Sequence, residues 1–343
     1  MKKVLIIRLS ALGDVIFTIP LANTLKDNGY EVSWLVSEKG YQLLKDNSCV
    51  DNVIFVPIEK WKKNKNKLQN FKEYIEVIKN LRAEKFDIAI DNQMLWKSFR
   101  FMKFCGAKRR IIARDARELS YLGGNEIIPP IKEGYNLHVI KTYLKYAQYL
   151  GLNTDNLKVT LPPIKDEVNQ KVDELLKDLD NSKKTVIVAP ATTWKDKHWN
   201  KDNFQKVVED LKDKVNLVFT GMAQDNELCE YISKGVGINL CGKTNLEELR
   251  AVFERGDLLL SLDSGSTHLA WATQKPKILS IFCATPKSFY APLGDENKYV
   301  ALQNEVCKPC HKRKCPLKSN RNKCTLSPSP EYVLENVYKL LEI

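Results

Sequence analysis

Short apolar runs alternate along this chain with stretches whose apolar residues recur at helical spacing. Residues 4–9 form the first run. It ends at Ser10-Ala11-Leu12-Gly13-Asp14, and residues 15–25 continue at helical period. That pattern predicts strand, glycine-containing turn, helix. Further strands are expected at 31–36, at 53–56 (closed by Pro57) and at 86–91. Helices are expected at 68–81, at 95–104 (basic) and at 136–150. Residues 60–67 are rich in Lys and Asn and read as a solvated loop.

The same alternation begins again after residue 184. Strands are expected at 185–189 before Pro190, at 216–220 before Gly221, at 258–262, and at 277–282 as the last clear one. Helices are expected at 202–211, after a capping box at Thr244-Asn245-Leu246-Glu247, at 269–273 and at 331–341. Strand–helix alternation implies parallel sheets covered on both faces. Between the two halves lie Gly151, Pro162-Pro163 and a polar helix. The expected organisation is therefore a domain over 1–160, a linker over 161–183, a second domain over 184–328 and a terminal helix over 329–343. Ligands of such sheets sit at the carboxyl ends of the strands, so two sheets facing each other would enclose a cleft.

Composition narrows the class. The chain has 343 residues, room for two cores. With 54 Lys+Arg against 42 Asp+Glu its net charge is +12. A basic surface favours anionic partners, whether nucleic acid, acidic lipid or phosphorylated small molecules, and is equally explained by solvated lysines. The first apolar run stops at Arg8, too short for a signal peptide, and no run reaches the ~20 residues needed to span a bilayer. The chain is expected in the cytoplasm, peripheral to a membrane at most.

Three clusters could carry chemistry. In the first, glycine lets backbone approach a ligand, and Asp14 falls near a helix N-terminus. It could act as a general base toward a hydroxyl, or merely complement the helix dipole. The second is Thr192-Thr193-Trp194-Lys195-Asp196-Lys197-His198-Trp199, after a strand. Its hydroxyls and lysines suit diphosphate oxygens, although a polar surface loop would look the same. The third is Asp263-Ser264-Gly265-Ser266-Thr267-His268, where a strand runs into a helix whose first amides are free. Like charge would repel Asp263 from phosphate, so its expected part is to hold the loop. His268 could donate to a phosphate oxygen or be structural. There is no GxGxxG and no G-x-S-x-G, and the only D-x-D, Asp178-Leu179-Asp180, ends a helix rather than following a strand.

Of the nine cysteines, four cluster as Cys307-x2-Cys310-x4-Cys315-x8-Cys324. Four thiolates could hold structural zinc. Only one C-x2-C knuckle is present, so free or redox-paired thiols stand beside that reading.

Taken together and in order, the stretch from Ile7 to Val15, Ala191-Thr192-Thr193 through Lys197-His198-Trp199, and Asp263 through Ala270 resemble the family 9 glycosyltransferases, the heptosyltransferases of lipopolysaccharide core synthesis. The resemblance implies an α/β fold of GT-B architecture with two facing Rossmann-like parallel-sheet domains. It also implies an inverting mechanism, an ADP-heptose donor, no required cofactor, and a lipid-linked saccharide acceptor (Kdo-lipid A or its first heptose) at the inner membrane surface. Asp14 would be the base. Lys197, Thr192 and Thr193 would bind the diphosphate, and Asp263, Ser264, Gly265 and His268 would line the nucleotide side. Asp225 would meet the ribose, and Thr244 would stand at the adenine pocket. Ser10, Gly13, Gln93 and Lys97 would belong to the acceptor side. The 60–67 segment and the cysteine tail depart from the heptosyltransferase I pattern, leaving acceptor position open. The competing readings are a family 9 enzyme with another sugar or acceptor, a sugar-nucleotide 2-epimerase of similar shape, and a basic nucleic-acid-binding protein. The last lacks the aromatics that base stacking needs around the cysteines, and no nucleic-acid partner is expected.

Overall fold

The computed structural model describes residues 1–132 and 134–343. They form two compact units, residues 1–162 and 163–343.

In the first unit the strands are β1 (Lys2–Ile7), β2 (Tyr30–Val36), β3 (Asn52–Phe55), β4 (Ile88–Asp91), β5 (Arg109–Ala113) and β6 (Glu126–Ile128). They pair in parallel in the order β3-β2-β1-β4-β5-β6. Val4, Leu5, Ile6 and Ile7 are wholly buried, as a central parallel strand with both faces covered requires. The helices are α1 (Leu12–Asp27), α2 (Glu38–Leu44), α3 (Ile58–Lys63), α4 (Lys67–Ala83), α5 (Trp96–Phe104) and α6 (Val139–Tyr149). From Val15 to Leu25 every residue of α1 is buried, and the helix packs on α6.

The second unit opens with α7 (Asp166–Leu175) and continues β7 (Thr185–Ala189), α8 (Lys201–Leu211), β8 (Asn216–Phe219), α9 (Asn226–Ser233), β9 (Ile238–Asn239), α10 (Leu246–Arg255), β10 (Leu258–Leu262), α11 (Gly265–Thr273), β11 (Lys277–Phe282), α12 (Lys287–Tyr290), β12 (Tyr299–Gln303) and α13 (Pro330–Leu341). Its strand order, β12-β11-β10-β7-β8-β9, repeats that of the first unit. Val333, Val337, Leu340 and Leu341 of α13 close its core. α7 is tied to α10 by Lys171–Glu248 and Arg255–Asp173, each 2.7 Å, so the polar helix after Pro163 packs with the second unit.

Several local expectations are corrected. Residues 60–67 are not one loop, because α3 runs to Lys63, anchored by buried Ile58 and Trp61. The capping box is shifted by one residue: Asn245 caps α10, and Glu248 returns to its amide at 2.9 Å. β12 follows the strand taken as last. It is an edge strand, paired only with β11, and only Tyr299 and Leu302 of it are buried. α11 begins at Gly265 rather than 269, since Ser264 caps it.

Candidate functional site

In both units the strand order reverses between the first and fourth strands, β1/β4 and β7/β10. The loops leaving such a pair diverge to opposite faces and open a crevice at the carboxyl edge. The clusters at Asp14, at Thr192–Trp199 and at Asp263–His268 leave β1, β7 and β10, and Gln93 and Lys97 follow β4.

In the first unit Arg8, the residue after β1, is buried with 4% of its surface exposed. Its guanidinium donates to the Asn92 carbonyl, to Tyr143 Oη at 3.1 Å and to Asp14 Oδ2 at 2.6 Å. Tyr143, on α6, donates in turn to Asp14 Oδ1 at 2.8 Å. Burial pushes the Asp14 carboxyl up, but Arg8, the Tyr143 hydroxyl and Lys132 outweigh it and hold the group below its ordinary range. Asp14 nevertheless keeps 31% of its side chain exposed. With one donor on Oδ1, that oxygen retains a lone pair for an incoming hydroxyl.

The loop after β4 meets this group. Asp91 accepts from the Gln93 and Met94 amides and from Ser98 Oγ. Burial raises its carboxyl to about 6 despite those bonds. Gln93 Oε1 accepts from the Leu9 and Ser10 amides at 3.1 and 3.0 Å. Gln93 is buried, and its oxygen therefore holds the β1–α1 turn. Lys97 Nζ lies 2.5 Å from Ser10 Oγ. Burial, then repulsion from Arg8, lowers this ammonium to about 8. Gly13 is buried in the first turn of α1.

In the second unit Lys197, after β7, pairs with Asp263, after β10. Nζ stands 2.5 Å from Oδ2, with side-chain exposures of 15% and 4%. Asp263 also accepts from Thr285 Oγ1 at 2.6 Å, and His268 Nε2 lies 3.4 Å from Oδ1. Burial opposes ionisation here, and Lys197 and His268 overcome it, driving the carboxyl far below the usual range. His268 is thus held by Asp263, and Asp263 fixes the loop as its charge suggested. Lys197 also lies over Trp194, 4.7 Å from the ring centre. Ser264, Gly265 and Ser266 are half-buried at the start of α11, whose first amides the helix itself leaves unbonded. The Lys197 loop is stapled by His198, whose Nε2 is 2.9 Å from the Thr192 carbonyl, and Thr192 Oγ1 accepts from the Trp194 amide. Thr193 is exposed.

Asp225 and Thr244 sit on neighbouring loops of the same edge. Gly242 N–H donates to Gly221 O at 2.9 Å, joining the loops after β8 and β9. Asp225 accepts from the Met222 amide at 2.9 Å. A Cβ on Gly221 would press 3.0 Å against both Asp225 Cβ and Cys241 Sγ, so a side chain here would have to push these neighbours by a few tenths of an ångström. Thr244 is half-buried just before the cap of α10.

Cys307, Cys310, Cys315 and Cys324 line one cavity of about 360 Å³ with Cys283 and Asp196. All are free thiols. Among the described residues no group of three or more His, Cys, Asp or Glu side chains is gathered as a metal ion requires. The segment does pack on the Lys197 loop. His311 stacks on Tyr290 and meets Trp194 edge-on, and Arg313 lies over Trp194.

A profile of glycosyltransferase family 9 (heptosyltransferase) matches residues 74–320. The chain belongs to this family. It is a glycosyltransferase of GT-B architecture. It is similar to the lipopolysaccharide core heptosyltransferase OpsX of Haemophilus influenzae, with 24% identity over 315 residues, 89% of this chain and 85% of that protein. In fold it is similar to a family 9 glycosyl transferase from Veillonella parvula, with TM-score 0.81, 20% identity and coverage of 99% and 97%. It is likewise similar to the E. coli heptosyltransferase WaaC with ADP, with TM-score 0.71, 22% identity and coverage of 97% and 99%. No helix among the described residues is long and apolar enough to cross a membrane.

Two participants had no distinguishing signal in the sequence. Tyr143 lies 129 residues from its partner Asp14, and Thr285 is 22 residues beyond Asp263. Arg8 had a faint one, as a charge closing an otherwise apolar central strand.

Proposed function

We propose that this glycosyltransferase inverts the anomeric centre, moving heptose from ADP-heptose to the inner core of lipopolysaccharide, on Kdo-lipid A or its first heptose. The observation that carries this reading is the pairing of Lys197 with Asp263 across the β7/β10 switch point. It gathers a cation, hydroxyls and free helix amides at one strand edge, a set suited to a diphosphate. The names of the similar heptosyltransferases, and the ADP held by the E. coli one, support heptose and adenine.

In this reading Asp14 accepts the proton of an acceptor hydroxyl as its oxygen attacks the anomeric carbon and ADP departs. Its low pKa keeps it ionised but makes it a modest base, so it takes the proton within the transition state rather than forming an alkoxide beforehand. Lys197 moves from Asp263 toward the diphosphate oxygens. Thr192, Thr193 and the amides of Gly265 and Ser266 donate to the same oxygens, with Ser264 holding the turn. Asp263 and His268 keep this edge in place. Asp225 accepts from the ribose hydroxyls and Thr244 borders the adenine. Ser10, Gly13, Gln93 and Lys97 shape the acceptor side. The protein's own cation and amides take the leaving charge, so turnover is expected to persist in EDTA.

A panel of nucleotide sugars assayed by released nucleotide tests the assignment. Release from ADP-heptose only when an inner-core acceptor is present is the expected result. Product formed from donor alone, or preference for another sugar, would overturn it.

Two pH effects follow from the first-unit geometry. Tyr143→Phe removes a hydrogen bond to the Asp14 carboxylate, so its pKa rises. The acid limb of kcat/KM should move up by about one pH unit, while a limb that stays put would free Tyr143 of this part. Lys97 titrates near 8, so acceptor KM should climb above that pH. Lys97→Arg should carry that rise out of the measured range, because a guanidinium stays charged there.

A further inference from the structure

α5 has two faces. Ser98, Phe101, Met102 and Cys105 are buried against the sheet, while Trp96, Phe99, Arg100, Lys103 and Phe104 share the outer face at three- and four-residue spacing. Trp96 is 58% exposed, stacked on Phe99 at 4.7 Å, and Phe104 is 50% exposed. α4 continues the surface. Leu68 and Phe71 are 66% and 59% exposed and share a face with Lys72 and Ile75. The two helices are joined through Tyr74, 6.4 Å from Phe71 and 5.6 Å from Phe101, and through Arg100 over Tyr74.

The charge of α3, α4 and α5 is predominantly positive, with Glu59, Glu73 and Glu76 as their acids. Residues 60–72 contain Lys60, Lys62, Lys63, Lys65, Lys67 and Lys72 and no Asp or Glu. The charged residues of α5 are Lys97, Arg100 and Lys103, with no acid. Lys60 has a carboxylate partner in Glu73 at 2.9 Å, whereas Lys62, Lys63, Lys65 and Lys72 form no ion pair among the described residues.

We propose that the outer face of α3, α4 and α5 docks on an anionic phospholipid bilayer. Exposed Trp, Phe and Leu flanked by unneutralised lysines are the composition of an interfacial helix, with rings at headgroup depth and ammonium groups reaching phosphate. α5 also carries Lys97 beside Ser10, so the docking face and the acceptor side share one helix. The proposal rests on the reading that the acceptor is lipid-linked. A second copy of the chain fits the face poorly, since two identical cationic patches would repel.

The test is sedimentation with phosphatidylcholine vesicles, with and without phosphatidylglycerol. The native protein should pellet with the anionic vesicles and stay in solution with the neutral ones. The set Leu68→Ser, Phe71→Ser, Trp96→Ser and Phe104→Ser should weaken binding more than about tenfold. So should the set Lys62→Gln, Lys63→Gln, Lys65→Gln and Lys72→Gln. Both sets should retain thermal stability and transfer to a deacylated, water-soluble inner-core acceptor. Equal binding to both vesicle types, unchanged binding of either set, or a concentration-dependent dimer abolished by both sets would overturn the docking face. Failure of the native protein to use the deacylated acceptor would sink the assigned reaction instead, whatever the vesicles show.

Discussion

Asp14→Asn is expected to lower transfer by about 10²–10⁴-fold, the usual contribution of a positioned general base, with donor affinity unchanged. Asn keeps the shape of the carboxylate but only one acceptor oxygen, so it can hold Arg8 or Tyr143 and turns its NH2 toward the other. It does remove the negative charge beside Arg8, which is buried. A buried cation without its counter-charge is costly, and the melting temperature should therefore fall as well. Calorimetric titration with ADP separates the two effects, because a folded variant that binds ADP normally and turns over slowly has lost chemistry alone. Rates within a few-fold of the native enzyme would remove Asp14 from the mechanism. The companion change Arg8→Gln should raise the Asp14 pKa, since its guanidinium is the strongest group lowering it.

The second large effect concerns Lys197, whose single substitution mixes two losses. Lys197→Ala should slow transfer about 10²–10³-fold, as removing one transition-state donor commonly does. It also strands Asp263, 4% exposed and ionised through Lys197 and His268. Breaking a buried pair by removing one partner costs about 3–5 kcal/mol, so the variant should melt markedly lower. Lys197→Ala combined with Asp263→Asn separates the losses. Neutralising the stranded carboxylate should restore most of the thermal stability and none of the transfer. A double variant that regains turnover would show Lys197 to be a structural counter-ion only. The native pair also predicts acid behaviour. A depressed carboxyl adds stability above its unfolded pKa, lost as pH falls through its native value, so Asp263 resists acid unfolding until well below pH 4.

Much of this was legible along the chain because it is local. A predominantly apolar run of four to six residues bounded by turn residues suits a central parallel strand, and it marked β1, β7, β10 and β11. Strand-to-helix turns carrying Asp14, Thr192–Lys197 and Asp263–His268 declared themselves by residue type and by place in the alternation. The departures have local causes too. α3 was hidden because its lysines conceal two buried anchors, and β12 is a five-residue edge strand only partly buried.

What no stretch of sequence contained was the order of the strands. Parallel pairing of β1 with β4, and of β7 with β10, brings together loops separated by some eighty residues in the first unit and by 66 between Lys197 and Asp263. That closure joined the second and third motifs through one ion pair. It tied Gln93 to the β1–α1 turn and set Lys197 on Asp263, while packing of α6 on α1 brought Tyr143 to the Arg8–Asp14 pair. The physical reason is that hydrophobic periodicity encodes which face of an element is buried, whereas the charge a side chain meets depends on contacts between distant elements. Residue types alone determined a family 9 fold with its acidic and basic candidates. Only the folded chain decided which of them hold one another, and therefore which protonation states they keep.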